Sequence, residues 1–115
     1  MIVIKNHKVL RQLLEVPYYP TLIGLALWVT ARYSETTFTS GYRKEDKGVH
    51  GTDPCRGIDI RSKDFDDPKA VEEDINAHWT YDPERPEKGC ALFHDVGRGE
   101  HIHLQVHPRT KYIGG

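Results

Sequence analysis

The apolar and polar positions divide the chain into helical and extended stretches. In residues 8–16 (KVLRQLLEV), Val9, Leu10, Leu13, Leu14 and Val16 recur with helical periodicity. Pro17 and Pro20 then bracket a break. From Thr21 to about Tyr33 a second helical stripe runs through Leu22, Leu25, Ala26, Val29 and Tyr33, with Thr21 as the expected N-cap. This stretch reads as the central core helix. Thr36 to Tyr42 (TTFTSGY) is rich in β-branched and aromatic residues and predicts a strand. Residues 44–55 are polar, contain Gly48, Gly51 and Pro54, and predict a long loop.

Gly57 to Arg61 (GIDIR) alternates, with Ile58 and Ile60 on one face and Asp59 and Arg61 on the other. Asp66 or Asp67 is the expected cap of a third helix, with Pro68 in its first turn, running to about Trp79. The loop YDPERPEKG follows. Cys90 to Val96 then predicts a strand, Gly97-Arg98-Gly99 a turn, and Glu100 to His107 the returning strand. On that last strand Ile102, Leu104 and Val106 belong on the core face. His101, His103, Gln105 and His107 belong on the other. Two helices, strands, a helix and a hairpin predict an α+β fold: an antiparallel sheet with helices on one face.

The length of 115 residues fits one domain over positions 1–115, large enough to fold without disulfides. The net charge of −1 with neutral histidines argues against a nucleic-acid binder that works by neutralising phosphates. It does not suggest an anionic membrane either. No secretory leader is legible in MIVIKNHKVL, and the apolar run Leu22–Val29 is far too short to span a bilayer. Cys55 and Cys90 are too few for a disulfide scaffold and read as reduced, buried thiols.

Seven histidines bear more on chemistry, six of them between His50 and His107. A catalytic zinc takes three ligands from His, Asp, Glu or Cys and leaves a position open. His101 and His103 share a strand face, Asp59 projects from the polar face of another strand, and His50 precedes that strand. If those strands are neighbours, the groups meet. Glu100, beside the histidine pair, is placed as a general base next to such a metal.

In order along the chain stand Ser40-Gly41-Tyr42-Arg43, His50, Gly57-Ile58-Asp59-Ile60 and Glu100-His101-Ile102-His103. Together they resemble the zinc D-Ala-D-Ala carboxypeptidase family. That family includes the vancomycin-resistance dipeptidases and the phage L-alanyl-D-glutamate endolysins, and it shares its fold with the hedgehog signalling domain. The resemblance spans about residues 21–107. It implies the hedgehog/D-Ala-D-Ala peptidase fold and a Zn2+ ion held by His50, Asp59 and His103. It further implies Glu100 as the catalytic carboxylate, and Arg43 at the site, where a guanidinium suits an oxyanion or substrate. His101 is a candidate for orienting substrate or stabilising the transition state.

The implied activity is hydrolysis of peptidoglycan stem-peptide bonds involving D-amino acids. The expected protein is a monomer of phage or prophage origin, made in the cytoplasm and acting on the bacterial cell wall after release.

Two departures from the family pattern stand out. Eight residues, GTDPCRGI, separate His50 from Asp59 where the family usually has six, and Gly48 replaces a usual Ser. The insertion makes Asp53 and Cys55 alternative ligands. His107 and His94 are weaker site candidates, and Arg61 is a candidate partner for Asp59 or for a substrate carboxylate. His78, Trp28 and Trp79 read as structural. The alternative to an enzyme is a non-catalytic zinc-binding or phage structural protein that retains the fold.

Overall fold

A computed structural model describes residues 1–95 and 99–114. The turn expected at Gly97-Arg98-Gly99 and the last residue of the strand expected at Cys90–Val96 therefore fall partly outside the described residues. A five-stranded sheet carries the fold, in the order β1-β2-β3-β6-β5. Its strands are β1 (Ile2–Ile4), β2 (Thr36–Ser40), β3 (Gly57–Arg61), β5 (Ala91–Asp95) and β6 (Glu100–Gln105). β4 (Trp79–Thr80) and β7 (Lys111–Tyr112) form a separate two-stranded ribbon. The helices are α1 (His7–Glu15), α2 (Pro20–Tyr33) and α3 (Pro68–His78).

The α+β class is as expected, but the sheet is mixed. β2, β3, β6 and β5 pair antiparallel, while β1 joins β2 in parallel. The first four residues carry too short a pattern to announce a strand; β1 is held by backbone bonds such as Lys5 N–H to the Phe38 carbonyl. The sequence also misassigns the start of α2. Tyr19, not Thr21, is the N-cap, with Pro20 at the first helical position, where its missing N–H costs nothing. Asp67 caps α3, its carboxylate accepting from the Ala70 N–H.

The core follows the alternation. Ile58 and Ile60 from β3, and Ile102 and Leu104 from β6, are all at most 3% exposed and pack with Leu22, Leu25 and Val29 of α2 and with Val71 and Ile75 of α3. Burying an aliphatic side chain of this kind stabilises by roughly 1.5–3 kcal/mol relative to leaving it in water. Trp28 and Trp79 pack edge to face, and His78 closes α3 against the Asp74 carbonyl, so all three are structural as expected.

β5 is an edge strand, and α3 satisfies its outer polar groups. The Asn76 amide donates to the Ala91 carbonyl and accepts from the Ala91 N–H, while the Glu72 carboxylate accepts from the Phe93 N–H. An edge closed this way cannot template another strand. Among the described residues, no helix is long and apolar enough to cross a membrane.

Candidate metal centre

β3 and β6 are adjacent, and their register sets Asp59 opposite His103 and Arg61 opposite His101. Alternation then puts all four on the face away from the core. His50 arrives from a 3-10 turn, Val49–Gly51, over that face. Asp59 Oδ1 lies 2.9 Å from His103 Nδ1 and 3.1 Å from His50 Nε2, and the two nitrogens are 3.2 Å apart. His50, Asp59 and His103 are at most 9% exposed. The centre of this face is thus closed to solvent.

The outer atoms of the two imidazoles decide what the inner atoms can do. His50 Nδ1–H donates to the Gly41 carbonyl at 2.8 Å, which turns a bare Nε2 inward. His103 Nε2–H donates to Gln105 Oε1 at 3.1 Å, which turns a bare Nδ1 inward. Gln105 is oriented in turn, because its amide donates to the Gly89 carbonyl. Three acceptor atoms therefore face one another at 2.9–3.2 Å. Their lone pairs repel unless a proton or a metal cation sits among them.

A tetrahedral zinc with bonds of about 2.0–2.1 Å spaces its ligands about 3.3–3.4 Å apart, so the triangle needs to open by only a few tenths of an ångström. Histidine ligands whose second nitrogen donates to a carbonyl or an amide oxygen are the usual support for such a metal. Burial pushes the Asp59 carboxyl up, but the hydrogen bonds and charge of His103 and His50 outweigh it and hold it well below the usual carboxylate range.

The local backbone is built for this contact. Gly57 is the only residue type that fits its place. A Cβ there would lie 2.7 Å from Val49 Cγ2 and 3.3 Å from His103 Cε1. At Gly41 a Cβ would lie 2.5 Å from the Tyr18 hydroxyl. That hydroxyl donates to the Gln12 carbonyl and accepts from the Tyr42 N–H, and Gln12 Oε1 accepts from the Gly41 N–H. The α1 side of the fold thus clamps the peptide whose carbonyl holds His50.

A β-bulge between Phe38 and Ser40 shifts the register, so Ser40 lies opposite Asp59 rather than Ile58. Ser40 Oγ accepts from Arg43 Nη1, and Asp46 pairs with Nη2 at 3.2 Å. Arg43 is thereby fixed on the wall of a cleft of about 900 Å³ that also takes in Asp59, Glu100 and His101.

The remaining candidates separate. His101 lies on the site face with its Nε2 3.8 Å from Asp59 Oδ1, and its ring stands 4.7 Å from that of His94. Glu100 is exposed and opens β6 at the cleft. In the alternation it belongs with Ile102 and Leu104, not with His101 and His103. His107 turns elsewhere, 3.8 Å from Asp82.

The two alternative ligands fall outside the triangle. Among the described residues, His50, Asp59 and His103 are the group that offers three ligand atoms within 4.8 Å of one another. The Cys55 thiol donates to the Gly57 carbonyl, and the Cys55 backbone ties down Pro17 and Tyr19. Both cysteines are free and buried.

Sequence reasoning missed three supporting residues, Gln105, Tyr18 and Gln12. Gln105 alone left a signal, sharing a strand face with His101 and His103.

No protein-family model matches this chain, and neither curated proteins nor solved structures include a match to it.

Proposed function

We propose that this protein is a zinc-dependent peptidase that hydrolyses peptidoglycan stem-peptide bonds involving D-amino acids. The observation that carries the reading is the buried triangle of inward-facing acceptors on His50, Asp59 and His103, with Asp59 and Arg43 on one cleft. These residues fit zinc in number, atom type and spacing. Zinc held there supplies a Lewis acid for the scissile carbonyl and lowers the pKa of water.

The chain's own groups do the rest. The Arg43 guanidinium, pinned by Ser40 and Asp46, is aimed to stabilise negative charge developing on the carbonyl oxygen. Glu100 takes the proton from the attacking water and returns it to the leaving amine. His101 orients the peptide on the same face. The fold is read as the hedgehog/D-Ala-D-Ala peptidase type, on the order of the motifs and their convergence on β3 and β6. A phage or prophage lysis enzyme, made in the cytoplasm and acting as a monomer on the cell wall, is the setting this reading implies.

The position of Glu100 favours a second reading. It stands at the end of the sheet, in the alternation set of the core residues, which suits a protein that binds zinc without catalysis. Metal analysis of protein purified without a histidine tag, joined to a wall-hydrolysis assay, tests both. The peptidase reading expects about one zinc per chain and hydrolysis that Glu100→Gln abolishes with zinc retained. Zinc without hydrolysis leaves the binding protein. Absence of zinc from both refutes the two readings together.

A further inference from the structure

β5 brings a further imidazole to the site face. In its register with β6, His94 stands opposite His101 and Leu92 opposite His103. His94 and His101 therefore share the face that carries Asp59 and His103, one step along the strands from the triangle. Their ring centres are 4.7 Å apart at 57°. His50 and His103 supply the yardstick: with ring centres 5.0 Å apart at 51°, they bring two nitrogens to 3.2 Å. The outer pair is the closer of the two. Two imidazole nitrogens on one zinc are about 3.3–3.4 Å apart, a span that rings this close reach by turning about their own side-chain bonds.

The surroundings set how strongly such a pair holds an ion. His101 Nε2 lies 3.8 Å from Asp59 Oδ1, so the pair adjoins the carboxylate of the triangle. His101 and Asp59 both line the cleft and His94 is exposed, which gives ions a path from solution. Glu45 and Glu100 line the same cleft and attract a cation. Arg61, opposite His101 on β3, repels it, as does an ion already in the triangle. The outer pair is thus a weak site beside a strong one, and dialysis empties it first.

We propose that His94 and His101 form a second metal site, open to solvent, that takes a late divalent transition ion such as Zn2+, Ni2+ or Cu2+. Imidazole nitrogens select these ions over Mg2+ and Ca2+, which require oxygen ligands. The binding stands on the geometry alone. Its consequence rests on the peptidase reading: an ion on His101 takes that ring away from the peptide it orients, so the second ion inhibits hydrolysis.

The test uses the full-length protein, purified without a histidine tag and loaded with one equivalent of zinc. Further Zn2+ is titrated against a fluorescent indicator, and proton NMR of the imidazole Cε1–H resonances reads which rings respond. A second equivalent is expected, about tenfold or more weaker than the first, with His94 and His101 shifting. His94→Ala should weaken the second step about tenfold and leave the first within about threefold. Arg61→Gln should tighten the second step about two- to fivefold at low salt and not at about 0.5 M salt. Mg2+ at the same concentration should shift neither ring. Hydrolysis of a dansyl-labelled stem peptide, scaled to each protein's own rate at one equivalent, should fall as the second step fills in the wild type and stay level in His94→Ala.

A single equivalent that shifts only His50 and His103 overturns the inference. So does a second equivalent that survives His94→Ala, which places it on another exposed histidine such as His7. A second equivalent on His94 and His101 without any hydrolysis sustains the site and removes the peptidase reading. Hydrolysis that ignores the second ion overturns the inhibition and the role of His101 in it.

Discussion

Gln105 touches neither the inner atoms of the triangle nor the cleft, yet the geometry makes it decisive for metal affinity. It holds the His103 Nε2–H, and the Gly89 carbonyl holds Gln105. Gln105→Leu keeps roughly the volume and removes the acceptor. The His103 ring then loses what fixes its tautomer and tilt, and metal affinity falls about 10–100-fold, or about 1.4–2.7 kcal/mol.

A chain of 115 residues has an unfolding entropy near 0.24 kcal/mol/K at its midpoint, so each kcal/mol moves Tm by about 4 °C. Zinc at a thousand times its Kd stabilises the wild type by about 4.1 kcal/mol, an upward shift of about 17 °C. At the same free zinc the variant should gain only about 6–11 °C. The variant also leaves the Gly89 carbonyl without its partner, at a cost of about 1–3 kcal/mol, but that loss appears in the metal-free melt and is subtracted. The assay is a pair of melts, with chelator and with buffered zinc, alongside a chelator competition for Kd. A zinc-induced shift equal to that of the wild type would refute the argument that Gln105 sets the His103 donor.

Other expectations follow from the same coordinates. Gly57→Ala should push Val49 and the His103 ring by a few tenths of an ångström and weaken zinc binding, while Gly24→Ala in α2, with open space around it, should leave Kd unchanged; equal titrations of the two would disprove the close approach at Gly57. Asp59 is held below its ordinary value, so in metal-free protein it contributes stability that is full above about pH 4 and is lost as pH falls through its folded value. Asp59→Asn should therefore flatten the acid limb of denaturant-midpoint against pH, and an unchanged slope would count against the pairing. Asn76→Ala removes two hydrogen bonds to β5 and should cost about 1–3 kcal/mol in urea unfolding, with zinc affinity little changed. Burial pushes the Cys90 thiol up to about 12 and raises Cys55 as well, so a thiol reagent at pH 8 should label neither in native protein and both after denaturation.

Much of this molecule was legible in the linear pattern because its elements are locally consistent. The 2-residue period in GIDIR and in EHIHLQ assigned each side chain to a face, and the faces stand as read. Pro68 after the pair Asp66-Asp67 marked the start of α3 for reasons internal to one helical turn, and the structure selects Asp67 as the cap. The residue types at His50, Asp59 and His103 pointed to a metal before any contact was known. Where the reading failed, the cause lay elsewhere in the chain. Three residues at the N-terminus become β1 only because β2 offers its edge, and Tyr19 caps α2 because Cys55 holds its backbone.

The sequence by itself therefore determined the three helices, the four antiparallel strands of the sheet, the faces of β3 and β6 and the kinds of donor available. Only the tertiary structure decided that β3 and β6 are neighbours in a register that puts Asp59 beside His103. It also decided that a bulge swings Ser40 towards Arg43, and that Gly41 and Gln105 leave both imidazoles with bare inner nitrogens. The physical reason is range. Periodicity and capping act over a few residues, whereas a ligand set joins atoms 9 to 53 positions apart, whose meeting depends on how the whole sheet is stacked against α2 and α3.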